Sequence, residues 1–212
     1  MATYDDLKEA IMGGDREAVE FQVRKVLSEG TEAKDILVNG LIAGMEVVGQ
    51  RFKAGEMFLP EVLLCAEVMH NGLDIINPLL AKSGHKGLGT VVIGTVEGDI
   101  HDIGKRIVSF LLEGTGFEVI DLGVNITADT FAQAIEKHNP DVLGMSALLT
   151  TTMPNMGKTI NFLKEKGLLD KAKVVVGGAP ITENFAQSIG ADGYAPEAGS
   201  AVELVKKLVA RR

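Results

Sequence analysis

From residue 90 onward the chain alternates short apolar runs with amphipathic stretches, and that alternation limits its fold more than any other feature. The spacing predicts strands over 90–96, 118–121, 142–147, 173–176 and 192–194. Between and after them it predicts helices over 103–114, 128–138, 155–166, 183–189 and 199–212. Apolar runs of this length, each followed by a helix, specify a parallel sheet covered on both faces. A five-stranded sheet of this kind is expected to take the flavodoxin-like order 2-1-3-4-5, with its ligand beyond the C-terminal strand ends.

Residues 1–82 read differently. Thr3 with Asp6 resembles a capping box ahead of Leu7, Ala10 and Ile11. Gly13-Gly14-Asp15 predicts a stop followed by a new cap, and Gly30-Thr31 repeats that arrangement. A third helix carries Ile36, Leu37, Leu41, Met45 and Val48 and ends near Gly55; a fourth starts at Pro60 and is expected to end before Pro78. Four helices with short loops make a small bundle. The expected organisation is therefore a helical domain at 1–82, a polar, glycine-rich linker at 83–89 and an α/β domain at 90–212.

Composition removes several functions. The net charge of -8 argues against nucleic acid as a partner, since a phosphate backbone needs clustered Lys and Arg. The single cysteine, Cys65, lies in an apolar run and is expected to be a buried thiol. No run approaches the roughly 20 apolar residues that span a bilayer, and the N-terminus lacks a charged-then-apolar export pattern. A cytoplasmic protein is expected.

The unusual residues gather at the predicted ligand edge. The first strand leads into Gly-Thr-Val-Glu-Gly-Asp-Ile-His-Asp-Ile-Gly-Lys, residues 94–105, which resembles a phosphate-binding loop except that His101 stands two residues after Asp99. Asp99 can orient the imidazole, as carboxylates do behind metal-ligating histidines. No second His, Cys or acidic cluster is near enough in sequence to complete a zinc site. One ligand suffices when a cofactor brings the others, as a macrocycle does. Gly177-Gly178 leaves a slot after a buried strand, and Ser146 and Thr150 offer hydroxyls beside it. In the helical half, the loop over 52–59 carries Phe52, Met57, Phe58 and Leu59 and reads either as packing on the bundle or as an apolar lid.

Asp99-x-His101-x-x-Gly104, then 41 residues, Ser146-x-Leu148, then 28 residues, Gly177-Gly178 resembles the cobalamin-binding signature of methyltransferases and some mutases. The stretch Gly-Met-Glu-Val-Val-Gly-Gln-Arg-Phe-Lys-Ala-Gly-Glu-Met-Phe-Leu-Pro-Glu-Val, 44–62, resembles the helical cap that precedes that domain in methionine synthase and in corrinoid methyl carriers. The chain thus resembles the stand-alone corrinoid proteins of methanol, methylamine and betaine methyltransferase systems. The resemblance implies cobalamin as cofactor, with His101 as lower axial ligand to cobalt in place of the displaced nucleotide base. It implies that Asp99 and Thr152 form a relay behind His101, and that Asp102, Ile103, Gly104 and Leu148 belong to the binding motif. It further implies that Ser146 and Thr150 contact the nucleotide tail, with Gly177, Gly178 and Ala198 along its tunnel. Phe52 and Leu59 match apolar residues over the methyl-bearing face. Val38 departs from the pattern, standing where methionine synthase has an acidic residue.

The function so implied is a methyl carrier, not an autonomous enzyme. It accepts a methyl group on cobalt(I) from a substrate:corrinoid methyltransferase and delivers it to a methylcorrinoid:acceptor methyltransferase, for tetrahydrofolate or a thiol. A reductive activation protein is a third expected partner. A cobalamin-dependent sensor and the cobalamin subunit of a mutase are the alternatives. The first would need a basic DNA-binding domain and commonly a tryptophan, and there is no Trp; the second would not need the apolar loop at 52–59.

Overall fold

The computed structural model describes residues 4–82 and 87–210, so Thr3 and residues 83–86 of the expected linker lie outside the described residues. The chain divides into two compact units, one of residues 1–87 with 110–116, the other of residues 88–109 with 117–212.

The first unit is helical: α1 (Asp5–Met12), α2 (Arg16–Ser28), α3 (Ala33–Asp35), a π-helix (Ile36–Ile42), α4 (Ala43–Lys53) and α5 (Leu59–Lys82). Its core holds Leu7, Ile11, Val19, Val23, Ile36, Leu41, Met45, Val48, Val62, Met69 and Ile76. Asp15 caps α2 as its position predicts, accepting from the Ala18 amide at 3.0 Å. The residue that caps α1 is Tyr4, without a side-chain bond. Thr31 is not a cap, since Glu32 occupies that position before α3. Cys65 is buried; burial pushes its thiol pKa up, and its Sγ points to the Met12 carbonyl at 3.6 Å.

Two features depart from expectation. The third helix is not uniformly α-helical, because it widens into a π-helix over Ile36–Ile42. There a Cβ on Gly40 would lie 2.6 Å from Leu7 Cδ2, so α1 rests directly on this backbone. The fourth helix does not stop before Pro78 but runs through it to Lys82. Pro78 and Asp74, whose carbonyl loses its helical donor, are both exposed, while Ile76 and Leu80 stay buried and hold the last turn on the core.

The second unit is the expected doubly wound sheet. Strands β1 (Thr90–Thr95), β2 (Glu118–Asp121), β3 (Val142–Ser146), β4 (Lys173–Gly177) and β5 (Gly193–Ala195) pair in parallel in the order β2-β1-β3-β4-β5. They alternate with α6 (Ile103–Gly114), α7 (Ala128–His138), α8 (Pro154–Glu165), α9 (Glu183–Ile189) and α10 (Ala198–Val209). Central β1 and β3 are almost wholly buried, with Thr95 opposite Ser146 and Ser146 opposite Gly177 in register. That register lines up the ends of β1, β3 and β4, and their loops open on one edge. No described helix is long and apolar enough to cross a membrane.

Candidate functional site

The loops after β1 and β3 meet at the Asp99 side chain, and the loop after β2 reaches its backbone. Its side chain is fully buried, and both oxygens are occupied by donors. Oδ1 accepts from the His101 amide at 3.0 Å and lies 2.7 Å from His101 Nδ1. Oδ2 accepts from Thr152 Oγ1 at 2.6 Å, from the Leu148 amide at 2.8 Å and from the Leu149 amide at 3.3 Å. Burial is the largest single influence and pushes this carboxyl pKa up; the donors from Thr152, His101 and Leu148 together outweigh it and hold the group well below the usual carboxylate range. Asp99 is therefore an ionised acceptor, and Nδ1 of the imidazole must be the donor. In the neutral ring this leaves the lone pair on Nε2, which has no protein partner among the described residues, and the His101 side chain is 45 % exposed.

The loop that carries His101 is clamped from several sides. Buried Thr95 donates through Oγ1 to the His101 carbonyl at 3.0 Å. Asn125 accepts from the Gly98 amide at 2.7 Å, and its own amide donates to the Asp99 carbonyl at 2.9 Å. Asn155 Nδ2 donates to the Glu97 carbonyl at 2.7 Å. Behind the loop, Lys105 is buried on the first turn of α6 and pairs with both oxygens of Asp121 at the end of β2. None of these contacts was marked by the sequence, because each involves a backbone group or a distant strand end.

The other predicted residues fall as follows. Ser146 ends β3 and is half-buried; Asp102 is half-buried; Thr150 is exposed; Ala198 opens α10 and is half-buried. Gly177 ends β4 and Gly178 follows it, but each has a reason within the fold. A Cβ on Gly177 would lie 3.1 Å from the Ala195 carbonyl, and one on Gly178, whose φ is +125°, would lie 1.9 Å from that of Ala147. Gly104 is different: beyond its chain neighbours and the backbone of its own helix, no protein atom lies within 4 Å of where its Cβ would stand, so no packing contact requires glycine there. Phe52 and Leu59 belong to the first unit and are half-buried, whereas Phe58 between them is 72 % exposed.

Around His101 the surface is apolar. Ile100, Ile103, Leu148 and Leu149 expose between 41 % and 73 % of their area, an arrangement that costs free energy unless something flat and apolar covers it. Among the described residues no group of three His, Cys, Asp or Glu side chains could hold a metal ion. A lone imidazole nitrogen, an apolar apron and an open space at Gly104 fit a metal that arrives inside a macrocycle.

Fold and site thus define a doubly wound domain, preceded by a helical unit, that accommodates a corrin ring. Residues 89–205 match the family described as B12 binding domain, and residues 3–77 match a second family of the same description. The chain belongs to the B12-binding-domain family, and its cofactor is cobalamin. It is 45 % identical to a corrinoid protein of Desulfitobacterium hafniense strain Y51, over 100 % of this chain and 99 % of that one. It is 46 % identical to the trimethylamine corrinoid protein of Methanosarcina barkeri, over 94 % of this chain and 93 % of the relative. Among solved structures, the methanol:cobalamin methyltransferase complex MtaBC from Methanosarcina barkeri superposes with a TM-score of 0.89 at 31 % identity. It covers 99 % of this chain and 80 % of that chain.

Proposed function

We propose that the chain is a cytoplasmic methyl carrier that receives a methyl group from a substrate:corrinoid methyltransferase and passes it to a second methyltransferase, for tetrahydrofolate or a thiol. Relatives named as trimethylamine and dimethylamine corrinoid proteins support this reading, as does the likeness to a methanol:cobalamin methyltransferase complex. A reductive activation protein is the third partner it calls for. Bound at this edge, the corrinoid supplies a reduced cobalt centre able to take up a methyl group and yield it again.

The residues of the chain do the holding. His101 would hold the cobalt through Nε2, with Asp99 fixing the ring through Nδ1. Thr152 and the amides of Leu148 and Leu149 keep Asp99 ionised, so the imidazole would stay oriented whether or not it is bonded to cobalt. Ile103, Leu148 and the space at Gly104 receive the ring, with Asp102 beside them. Ser146, Thr150, Gly177, Gly178 and Ala198 are assigned to the nucleotide tail.

The observation that carries the reading is the 2.7 Å contact from a half-exposed His101 ring to the fully buried, ionised Asp99. The test loads the chain with cobalamin and mixes it with one methyltransferase at a time, each with its own donor: methanol, trimethylamine, dimethylamine or monomethylamine. Methylation is followed in the visible spectrum. One donor system is expected to methylate the wild type and to do so poorly with His101→Ala, which also retains less corrinoid. An unchanged spectrum and unchanged methylation in that variant would remove His101 from the role.

A further inference from the structure

The loop that carries His101 is held by a residue that contacts neither the imidazole nor Asp99's carboxylate. Asn125 lies between β2 and α7 in a left-handed conformation, φ 57°, which is uncommon for any residue but glycine. Two bonds explain that conformation. Its Oδ1 accepts from the Gly98 amide at 2.7 Å, and its amide donates to the Asp99 carbonyl at 2.9 Å. The two groups held lie on either side of the Asp99 α-carbon. The side-chain amide cannot be turned the other way, because Gly98 N–H is a donor and requires oxygen opposite it. Just after Asn125, the Ile126 amide donates to the Thr95 carbonyl at 2.9 Å, so the clamp is anchored on the central strand.

We propose that Asn125 is a positioning residue for the axial ligand. By gripping the chain on both sides of Asp99 it fixes where that carboxylate stands, and through it where His101 presents Nε2. Thr152 and Leu148 hold the Asp99 side chain from the β3 side, and the Asp99 amide donates to the Val96 carbonyl at 3.1 Å; Asn125 adds the hold on the Gly98 amide and on the Asp99 carbonyl. The inference rests on the axial-ligand reading of His101. Asn125 is itself exposed, so replacing it leaves the core intact.

Three substitutions separate the parts. Asn125→Gly keeps the left-handed backbone at no steric cost and removes only the side-chain acceptor. Asn125→Asp keeps an oxygen facing Gly98 and tolerates the same conformation. His101→Ala removes the ligand. The intact chain, made with 15N-labelled histidine, loaded with cobalamin and reduced to the cobalt(II) state, is read by electron paramagnetic resonance, in which an axial 15N imidazole splits each line into two and the cofactor's own 14N base splits it into three. Wild type is expected to show the two-line splitting and His101→Ala to lack it. In Asn125→Gly the ratio of histidine-bound to other cobalt is expected to fall about fivefold, the equivalent of one neutral hydrogen bond. Asn125→Asp should restore it to within about twofold.

Amide hydrogen exchange in the cofactor-free chain gives a second reading that does not depend on loading. The His101 amide, bonded to Asp99 Oδ1, is expected to exchange about fivefold faster in Asn125→Gly and at the wild-type rate in Asn125→Asp. A glycine variant that matches wild type in both measurements overturns the role of Asn125, as does a loss that aspartate fails to restore. A wild type without the two-line splitting from 15N histidine overturns the axial-ligand reading, and this inference with it.

Discussion

Thr152 Oγ1 donates to Asp99 Oδ2 at 2.6 Å, joining residues 53 apart in sequence inside a site where the carboxylate has no access to water. Each donor to that carboxylate counts for more than a surface bond, because a lost one leaves a buried charge short of a partner. Thr152→Val keeps the shape and removes the hydroxyl. It is expected to destabilise the cofactor-free chain by about 1.5–3 kcal/mol. Thr152→Ser retains the donor and should cost less than half as much. Urea denaturation of the three proteins checks both.

The glycines near the site separate into those the fold requires and one it does not. Gly178→Ala places a Cβ 1.9 Å from the Ala147 carbonyl at a φ that alanine avoids, so a loss of about 3 kcal/mol or more is expected. Gly104→Ala meets nothing within 4 Å and lies in the first turn of α6. Its cofactor-free form should be unchanged or up to about 1 kcal/mol more stable. If the corrin approaches the backbone there, the same variant binds cobalamin more weakly. Melting curves and a cobalamin titration on the two variants give opposite patterns: one loses stability, the other only the ligand.

Periodicity reached far in the second unit because short parallel strands buried on both faces read as plain apolar runs. The helices at Ile103–Gly114, Ala128–His138 and Glu183–Ile189 and the order β2-β1-β3-β4-β5 follow from it directly. It failed where tertiary contact decides. The π-helix at Ile36–Ile42 accompanies the seating of Leu7 on Gly40, and α5 survives Pro78 because Ile76 and Leu80 are buried around it. In the site, Asp99 and His101 were legible as side chains at a characteristic spacing, and Thr152 entered through the resemblance to cobalamin-binding proteins. Asn125 and Asn155 were not, since each binds backbone groups 26–58 residues away, and backbone groups carry no sequence signal.

Lys105 and Asp121 are an unequal pair: the lysine side chain is 1 % exposed, the aspartate 33 %. That inequality predicts which partner can be removed. Lys105→Met fills the buried volume with an apolar chain and leaves a carboxylate that still reaches water and bonds the Gly123 amide at 2.8 Å. Asp121→Asn instead strands a buried ammonium. The second is expected to cost close to the about 3–5 kcal/mol of a broken buried pair, the first clearly less. Urea denaturation ranks them, and a larger loss in Lys105→Met would contradict the burial argument.

The first unit offers a pH dependence of known sign. His70 Nε2 lies 3.0 Å from Glu113 Oε2, and that carboxylate raises the His70 pKa against the opposing effect of partial burial, with Asp74 adding a smaller push in the same direction. A folded-state pKa raised above the unfolded value means that the folded state holds the proton more tightly. The stabilisation is therefore complete below about pH 6.5, the value of a free histidine, and fades as pH rises through the higher folded value. His70→Gln removes it. Both side chains are partly exposed, so solvent screening limits the pair to about 1 kcal/mol or less. For a chain of this length that corresponds to a melting difference of no more than about 2–4 °C. The wild type should melt above His70→Gln by that margin at acidic pH, and the two should converge well above neutrality. A gap that widens with rising pH would show that Glu113 does not hold a protonated His70.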